Sequence, residues 1–221
     1  EDMPDIDYLL ISHDHWDHLD YATATALRSK VGQVVCPLGV GAHFEAWGYG
    51  KETVFEGDWY SALEGEEGFA IHILPARHFS GRSLTRNKTL WAGFALVTPE
   101  RRIFFSGDSG YGKHFAEIGA RFGGFDLAML DCGQYDENWR YVHMMPEDTA
   151  QAAEDLRARA LLPGHMGKFA IAYHTWDDPF KRIVAASRGK PYRLLLPLLG
   201  EPVALPVASD GELSRWWEAG R

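Results

Sequence analysis

Hydrophobic positions along this chain follow two rhythms. Short apolar runs bounded by Gly, Pro or acidic residues read as strands, and 3.6-residue spacing reads as helix. Tyr8-Leu9-Leu10-Ile11 predicts a buried strand over 7–12. Further strands are expected at 33–36, closed by Pro37, and at 53–55. The alternating stretch 69–74 is another. Two β-rich runs, 91–98 and 102–106, flank Pro99-Glu100-Arg101 and predict a hairpin. Strands at 126–131 and 160–162 complete the set. Helices are expected between them, at 19–30, 40–47, 114–122, 146–159 and 178–187. The fourth is the best marked, with Pro146 in its first turn and Glu147 and Asp148 near the positive end of its dipole. Stretch 58–68 is acidic and reads as turns, and the end of the chain is mixed. Strands alternating with helices, plus one hairpin, predict α/β architecture: two mixed sheets packed face to face and flanked by helices, an αββα sandwich. No repeat, low-complexity stretch or linker interrupts it, so 1–221 reads as one domain.

Composition narrows the function classes. A chain of 221 residues buries a core without staples. Its net charge of -9 argues against a broad nucleic-acid surface, which needs a basic face. Two cysteines, Cys36 and Cys132, make no disulfide framework, and a reducing, cytoplasmic setting is expected. No apolar run approaches the roughly 20 residues of a membrane-spanning helix. Leu194 to Val207 is broken by Pro197, Pro202, Pro206 and Glu201. No signal-peptide pattern is read in the first residues.

The chemistry is concentrated in Ser12-His13-Asp14-His15-Trp16-Asp17-His18, which packs three imidazoles and two further carboxylates behind a strand. A solvated loop gains little from so many imidazoles, and a core would have to desolvate them. Neutral imidazole and carboxylate are common zinc ligands. Were the chain extended here, His13, His15 and Asp17 would share a face, and Asp14 would point away. His78, Asp108 and His165 each stand where a strand hands over to a loop. Taken singly, a histidine in such a place is more often structural than a ligand.

The pattern His13-x-His15-x-Asp17-His18, followed in order by His78, Asp108 and His165, resembles the metal-binding signature of the metallo-β-lactamase superfamily. The resemblance implies two divalent cations, zinc by preference and iron or manganese as substitutes. It implies His13, His15 and His78 at one metal, Asp17, His18 and His165 at the other, and Asp108 bridging them. Superfamily members usually carry strands ahead of this signature. The N-terminal strands of the fold are therefore expected to be missing from 1–221, leaving one half of the sandwich incomplete. A narrower likeness runs through Pro75-Ala76-Arg77-His78, Ser106-Gly107-Asp108-Ser109-Gly110-Tyr111 and His143-Met144-Met145-Pro146. These are similar to the N-acylphosphatidylethanolamine-hydrolysing phospholipase D branch and its bacterial relatives. The segment departs at Met166, where relatives usually carry Trp after the histidine, which bears on substrate preference.

That likeness implies a phosphodiesterase with a metal-bridging hydroxide as nucleophile. Four metal charges less Asp17, Asp108 and hydroxide leave about one net positive charge, which suits an anionic diester. Asp17 would orient the nucleophile, and His143 would contact the scissile group as acid or hydrogen-bond donor. Tyr135 and Lys168 are candidate pocket residues. Trp16, Phe79, Trp91 and Trp139 could form an apolar approach for a lipid, which would make the protein peripheral to a membrane. The expected partner is a small-molecule or lipid phosphodiester, with no nucleic acid; a homo-oligomer is left open. The rivals are a lactonase of the sugar-acid type and, from another class, a non-catalytic metal-binding scaffold.

Overall fold

The computed structural model describes residues 3–82, 84–168, 171–207 and 215–219. Ser83 and Phe169 are among the residues outside them. The strands are β1 Ile6–Leu10, β2 Val31–Pro37, β3 Val54–Gly57, β4 Ala62–Glu64, β5 Ala70–Leu74, β6 Gly93–Val97, β7 Arg102–Phe105, β8 Leu127–Asp131, β9 Ala160–Gly164 and β10 Arg193–Leu194. The α-helices are α1 Tyr21–Leu27, α2 Gly41–Ala46, α3 His114–Phe122, α4 Pro146–Asp155 and α5 Asp178–Ala186. They form a parallel three-stranded sheet, β1-β2-β3, and a seven-stranded sheet ordered β10-β9-β8-β7-β6-β5-β4.

Period-two alternation separates the layers. In the large sheet, Ala95, Phe104, Ala128, Leu130 and Leu161 face a core shared with Phe115 and Ile118 of α3, Ala150 and Ala153 of α4, and Phe180 and Ile183 of α5. Their neighbours Ile71, Ile73 and Phe94 face the small sheet, meeting Val35, Tyr8, Leu10 and Phe55. The outer face of the small sheet, through Val34 and Cys36, packs on Ala24 of α1 and Phe44 of α2. The order is therefore helices, sheet, sheet, helices, as the hydrophobic pattern predicts. On the same face as Phe94, Met129, Leu162 and Phe105 (which also packs against the inter-sheet core) line a cavity of about 490 Å³ together with Leu195, Leu196 and Trp216.

Three local expectations need correction. Stretch 58–68 contains β4, which pairs antiparallel with β5 through Ala62–His72 and Glu64–Ala70. Partner pairing decides a three-residue strand, and its own composition carries no strand signal. Helix α4 stops at Asp155 rather than 159, because the chain turns left-handed at Arg157, with φ 53°. Helix α1 is likewise shorter, starting at Tyr21 behind Asp20, whose carboxylate caps it by accepting from the Thr23 N–H at 2.7 Å.

Strand direction is what positions the site. β5 and β7 are each antiparallel to β6, so they run the same way, and β8 and β9 are parallel to β7. Four C-terminal strand ends therefore meet on one edge. His78 follows β5, Asp108 follows β7, Asp131 ends β8 and His165 follows β9. The end of β1 delivers His13 to the same edge: the Ser12 carbonyl accepts from the Ala92 N–H at 2.9 Å.

Candidate metal centre

Seven side chains drawn from four separate stretches converge. Nε2 of His13 lies 2.9 Å from Nδ1 of His15, and Nε2 of His78 lies 3.1 Å from that same Nδ1. One carboxylate oxygen, Oδ2 of Asp108, is 3.8 Å from His13 Nε2, 3.8 Å from His78 Nε2, 3.1 Å from His18 Nε2 and 3.4 Å from His165 Nε2. Oδ2 of Asp17 is 3.5 Å from His18 Nε2 and 3.9 Å from His165 Nε2. Two donor sets that share no residue result, His13, His15, His78 with Asp108, and Asp17, His18 with His165; a third grouping, Asp108, His143 and His165, overlaps both. Residues 11–15 are not a strand, and 16–18 form a turn, so the parity argument holds only in outcome for His13 and His15. Asp17 reaches the second set from that turn, where the His18 and Leu19 N–H groups donate to the His15 carbonyl.

The donors fit a divalent cation. Burial draws His13 well below its ordinary pKa and His78 down to about 3, so both imidazoles are neutral and available. His78 donates from Nδ1 to the Val142 carbonyl at 3.0 Å, which leaves Nε2 bare toward Asp108. Burial opposes charge on His18, but the adjacent Asp108 and Asp17 carboxylates outweigh it and push this imidazole up to about 10. Burial also opposes charge on Asp108, yet His18, His165 and His13 hold its carboxyl far below the usual range. The decisive feature is His18 Nε2, which is buried and makes no hydrogen bond although two carboxylates flank it. A metal would replace the proton on that nitrogen and satisfy it.

The surrounding residues stiffen the loops. Asp14, buried, accepts from the Gly81 N–H at 2.7 Å, and its carbonyl accepts from Arg82 at 2.9 Å. His165 adopts left-handed backbone, φ 60°, and its carbonyl is so close to Gly133 that a Cβ there would sit 1.7 Å from it. Only glycine fits such an approach, so residue 133 helps set where His165 stands.

The remaining candidates divide. His143 joins the cluster: its ring stacks on His165 at 5.4 Å and lies 5.2 Å from His78. Lys168 lines the cavity beside Met166 and His165. Tyr135 is buried, donates its hydroxyl to Asp178 at 2.6 Å and stacks on His174, so its partners are not the site histidines. Trp16 is 66% exposed with Arg82 over its ring. Phe79 packs against His15 and His78. Trp91 and Trp139 are half-buried and donate to the carbonyls of Ala76 and Gln134. Asp131 escaped the sequence reading. It is buried, and its Oδ2 accepts from His143 Nδ1 at 2.9 Å. Burial lifts its carboxyl above the usual range. Burial alone would lower His143, but the Asp131 carboxylate overrides that and raises it.

The Beta-lactamase superfamily domain matches residues 1–166. An uncharacterized protein of Mycobacterium tuberculosis is 41% identical over 219 residues, 97% of this chain and 58% of its own length. N-acyl-phosphatidylethanolamine-hydrolyzing phospholipase D 1 of Caenorhabditis elegans is 33% identical over 183 residues, 77% of this chain and 51% of its own length. The chain thus spans about half the length of these relatives. A solved isothiocyanate hydrolase from Delia radicum gut bacteria shares the fold, with a TM-score of 0.69 at 19% identity over 90% of this chain and 76% of that one. With its two facing sheets, its outer helices and a histidine–aspartate cluster at one sheet edge, the chain belongs to the metallo-β-lactamase superfamily, alongside the phospholipase D-like relatives that hydrolyse N-acyl-phosphatidylethanolamine.

Proposed function

We propose that this chain carries the catalytic centre of a metal-dependent phosphodiesterase holding two divalent cations, zinc by preference. The observation that carries the reading is the position of Asp108 Oδ2, within 3.8 Å of four imidazole nitrogens that split into two donor sets. His13, His15 and His78 would hold one cation, and Asp17, His18 and His165 the other, with Asp108 shared. When bound, such cations supply Lewis acidity and lower the pKa of a coordinated water to about 7. Asp17 is the more exposed carboxylate, with a side chain 27% accessible against 4% for Asp108, and so is the one placed to orient an attacking water. His143 stands beside the cluster, outside the seven residues of the two donor sets, and serves as the hydrogen-bond donor or acid at the scissile group. Lys168, at the cavity wall, would add a cation for an anionic substrate. The C. elegans relative's name makes a lipid diester the leading substrate class. No helix among the described residues is long and apolar enough to cross a membrane. Exposed Trp16, stacked under Arg82, supports approach to a lipid surface from the periphery.

The test compares bis-p-nitrophenyl phosphate and N-acyl-phosphatidylethanolamine vesicles with lactones and nitrocefin, using the full chain. Diester cleavage that chelation abolishes and zinc restores is the expected result. Lactone turnover without diester cleavage would overturn the reading. Fewer than one metal per chain in carefully purified protein would favour the scaffold.

A further inference from the structure

We propose that Asp131 is a positioning residue for His143, holding its Nδ1–H in a hydrogen bond and so turning the opposite nitrogen, Nε2, away from the carboxylate toward the group the ring contacts. This rests on the reading of His143 as the group that contacts the scissile diester.

Asp131 is the last residue of β8, and its side chain is completely buried. An ionised carboxylate accepts hydrogen bonds and cannot donate them. The Asp131 carboxylate faces three nitrogens: the Ser109 N–H at 3.2 Å and the Gly133 N–H at 3.3 Å, both obligate donors, and His143 Nδ1 at 2.9 Å. With two obligate donors already on this carboxylate, His143 Nδ1 is the third nitrogen facing it and is set to donate as well. The anchor is itself tied down. The Asp131 N–H donates to Ser106 Oγ at 2.9 Å, and the Asp131 carbonyl accepts from Thr149 Oγ1 of α4 at 2.7 Å. Ser106 and Ser109 flank Asp108 in one loop, and α4 follows directly on His143 in sequence. One buried carboxylate thus joins the loop of the shared aspartate to the segment of the candidate acid. A side chain whose second nitrogen must meet a substrate gains from this, because the ring can neither flip nor change tautomer without stranding a buried charge.

Two other roles are open to Asp131. It could merely staple the loops, in which case the state of His143 would not depend on it. Or it could support His143 as a metal ligand, since Asp108, His143 and His165 have donor atoms within 4.8 Å of one another. Imidazole ¹⁵N shifts of the zinc-loaded, labelled full chain separate the three. The wild type should show His143 with Nδ1 protonated whether or not Nε2 carries a second proton. Asp131→Ala should release a population with Nδ1 unprotonated and lower kcat on bis-p-nitrophenyl phosphate about 10- to 100-fold with KM and zinc content unchanged. Should that variant fold poorly, Asp131→Asn keeps the volume but opposes its NH₂ to one of the three donors, and loss of full Nδ1 protonation or of kcat is again expected. A wild-type His143 whose Nδ1 carries no proton overturns the proposal. So do unaltered Nδ1 protonation and kcat in both variants, or loss of zinc from them. The tautomer readout needs no turnover. A protein inert toward diesters but showing the expected shifts would sink the phosphodiesterase and spare the positioning role.

Discussion

Asp108 belongs to one donor set and its Oδ2 lies within 3.4 Å of two nitrogens of the other, and its surroundings show why a carboxylate stands there. A buried acid group surrounded by four imidazoles at 3.1 to 3.8 Å is stable only while they, or cations between them, supply positive charge. His78 belongs to one set alone. If the two sets hold one cation each, as proposed, Asp108→Ala should strip both, whereas His78→Ala should strip about one, as counted by inductively coupled plasma mass spectrometry after gel filtration. Equal losses in the two variants would mean that the two sets are not separate sites. The seven candidate donors could be singled out in the sequence through the family signature they resemble, and their placement has a simple regularity. Each is a histidine or aspartate at the C-terminal end of an apolar run, and four crowd into six residues. Asp131 obeys the same rule behind Leu127-Ala128-Met129-Leu130. It was passed over because nothing in one dimension pairs it with His143, twelve positions on.

At the level of elements, the strands and helices of the central region were readable because their alternation is uninterrupted. β4 was not, since its hydrogen bonds to β5 and not its residues make it a strand. Helix α3 shows how an element constrains a titrating group. His114 is its first residue, where the helix dipole disfavours a cation. Burial, with some help from Arg77, holds its imidazole down to about 4. The folded value lies below the unfolded one of about 6.5, so the unfolded chain binds the extra proton first. Stability from this group is complete above about 6.5 and is lost as the pH falls toward 4, by at most about 3 kcal/mol. His114→Asn should flatten that part of the profile. Urea midpoints at pH 7 and pH 5 measure it: the drop between them should be smaller in the variant than in the wild type. An equal drop would show that His114 does not titrate in this window.

The whole molecule is organised by a single alternation that assigns neighbouring residues of the large sheet to different jobs. Phe104 is fully buried against Phe115 and Phe125, inside the helix-covered core. Leu162, two strands away and on the opposite face, is half-buried and lines the cavity that runs up to His18, Asp108 and His165. The two faces should therefore respond differently to truncation. Phe104→Ala removes a large ring from a closed core and should cost about 3 to 5 kcal/mol in urea unfolding of the full chain. Leu162→Ala enlarges a space that already exists, and should cost about 2 kcal/mol or less. Its effect should instead appear in KM for an acylated diester, with bis-p-nitrophenyl phosphate unaffected, because only the acylated substrate has a chain to lay along Phe105, Met129 and Leu162. A Leu162→Ala cost equal to that of Phe104→Ala would mean that the Leu162 face is as tightly closed in the full chain as the helix face. The cavity would then have no place in substrate binding, although the metal centre at its rim, held by strand ends and their loops, would be untouched.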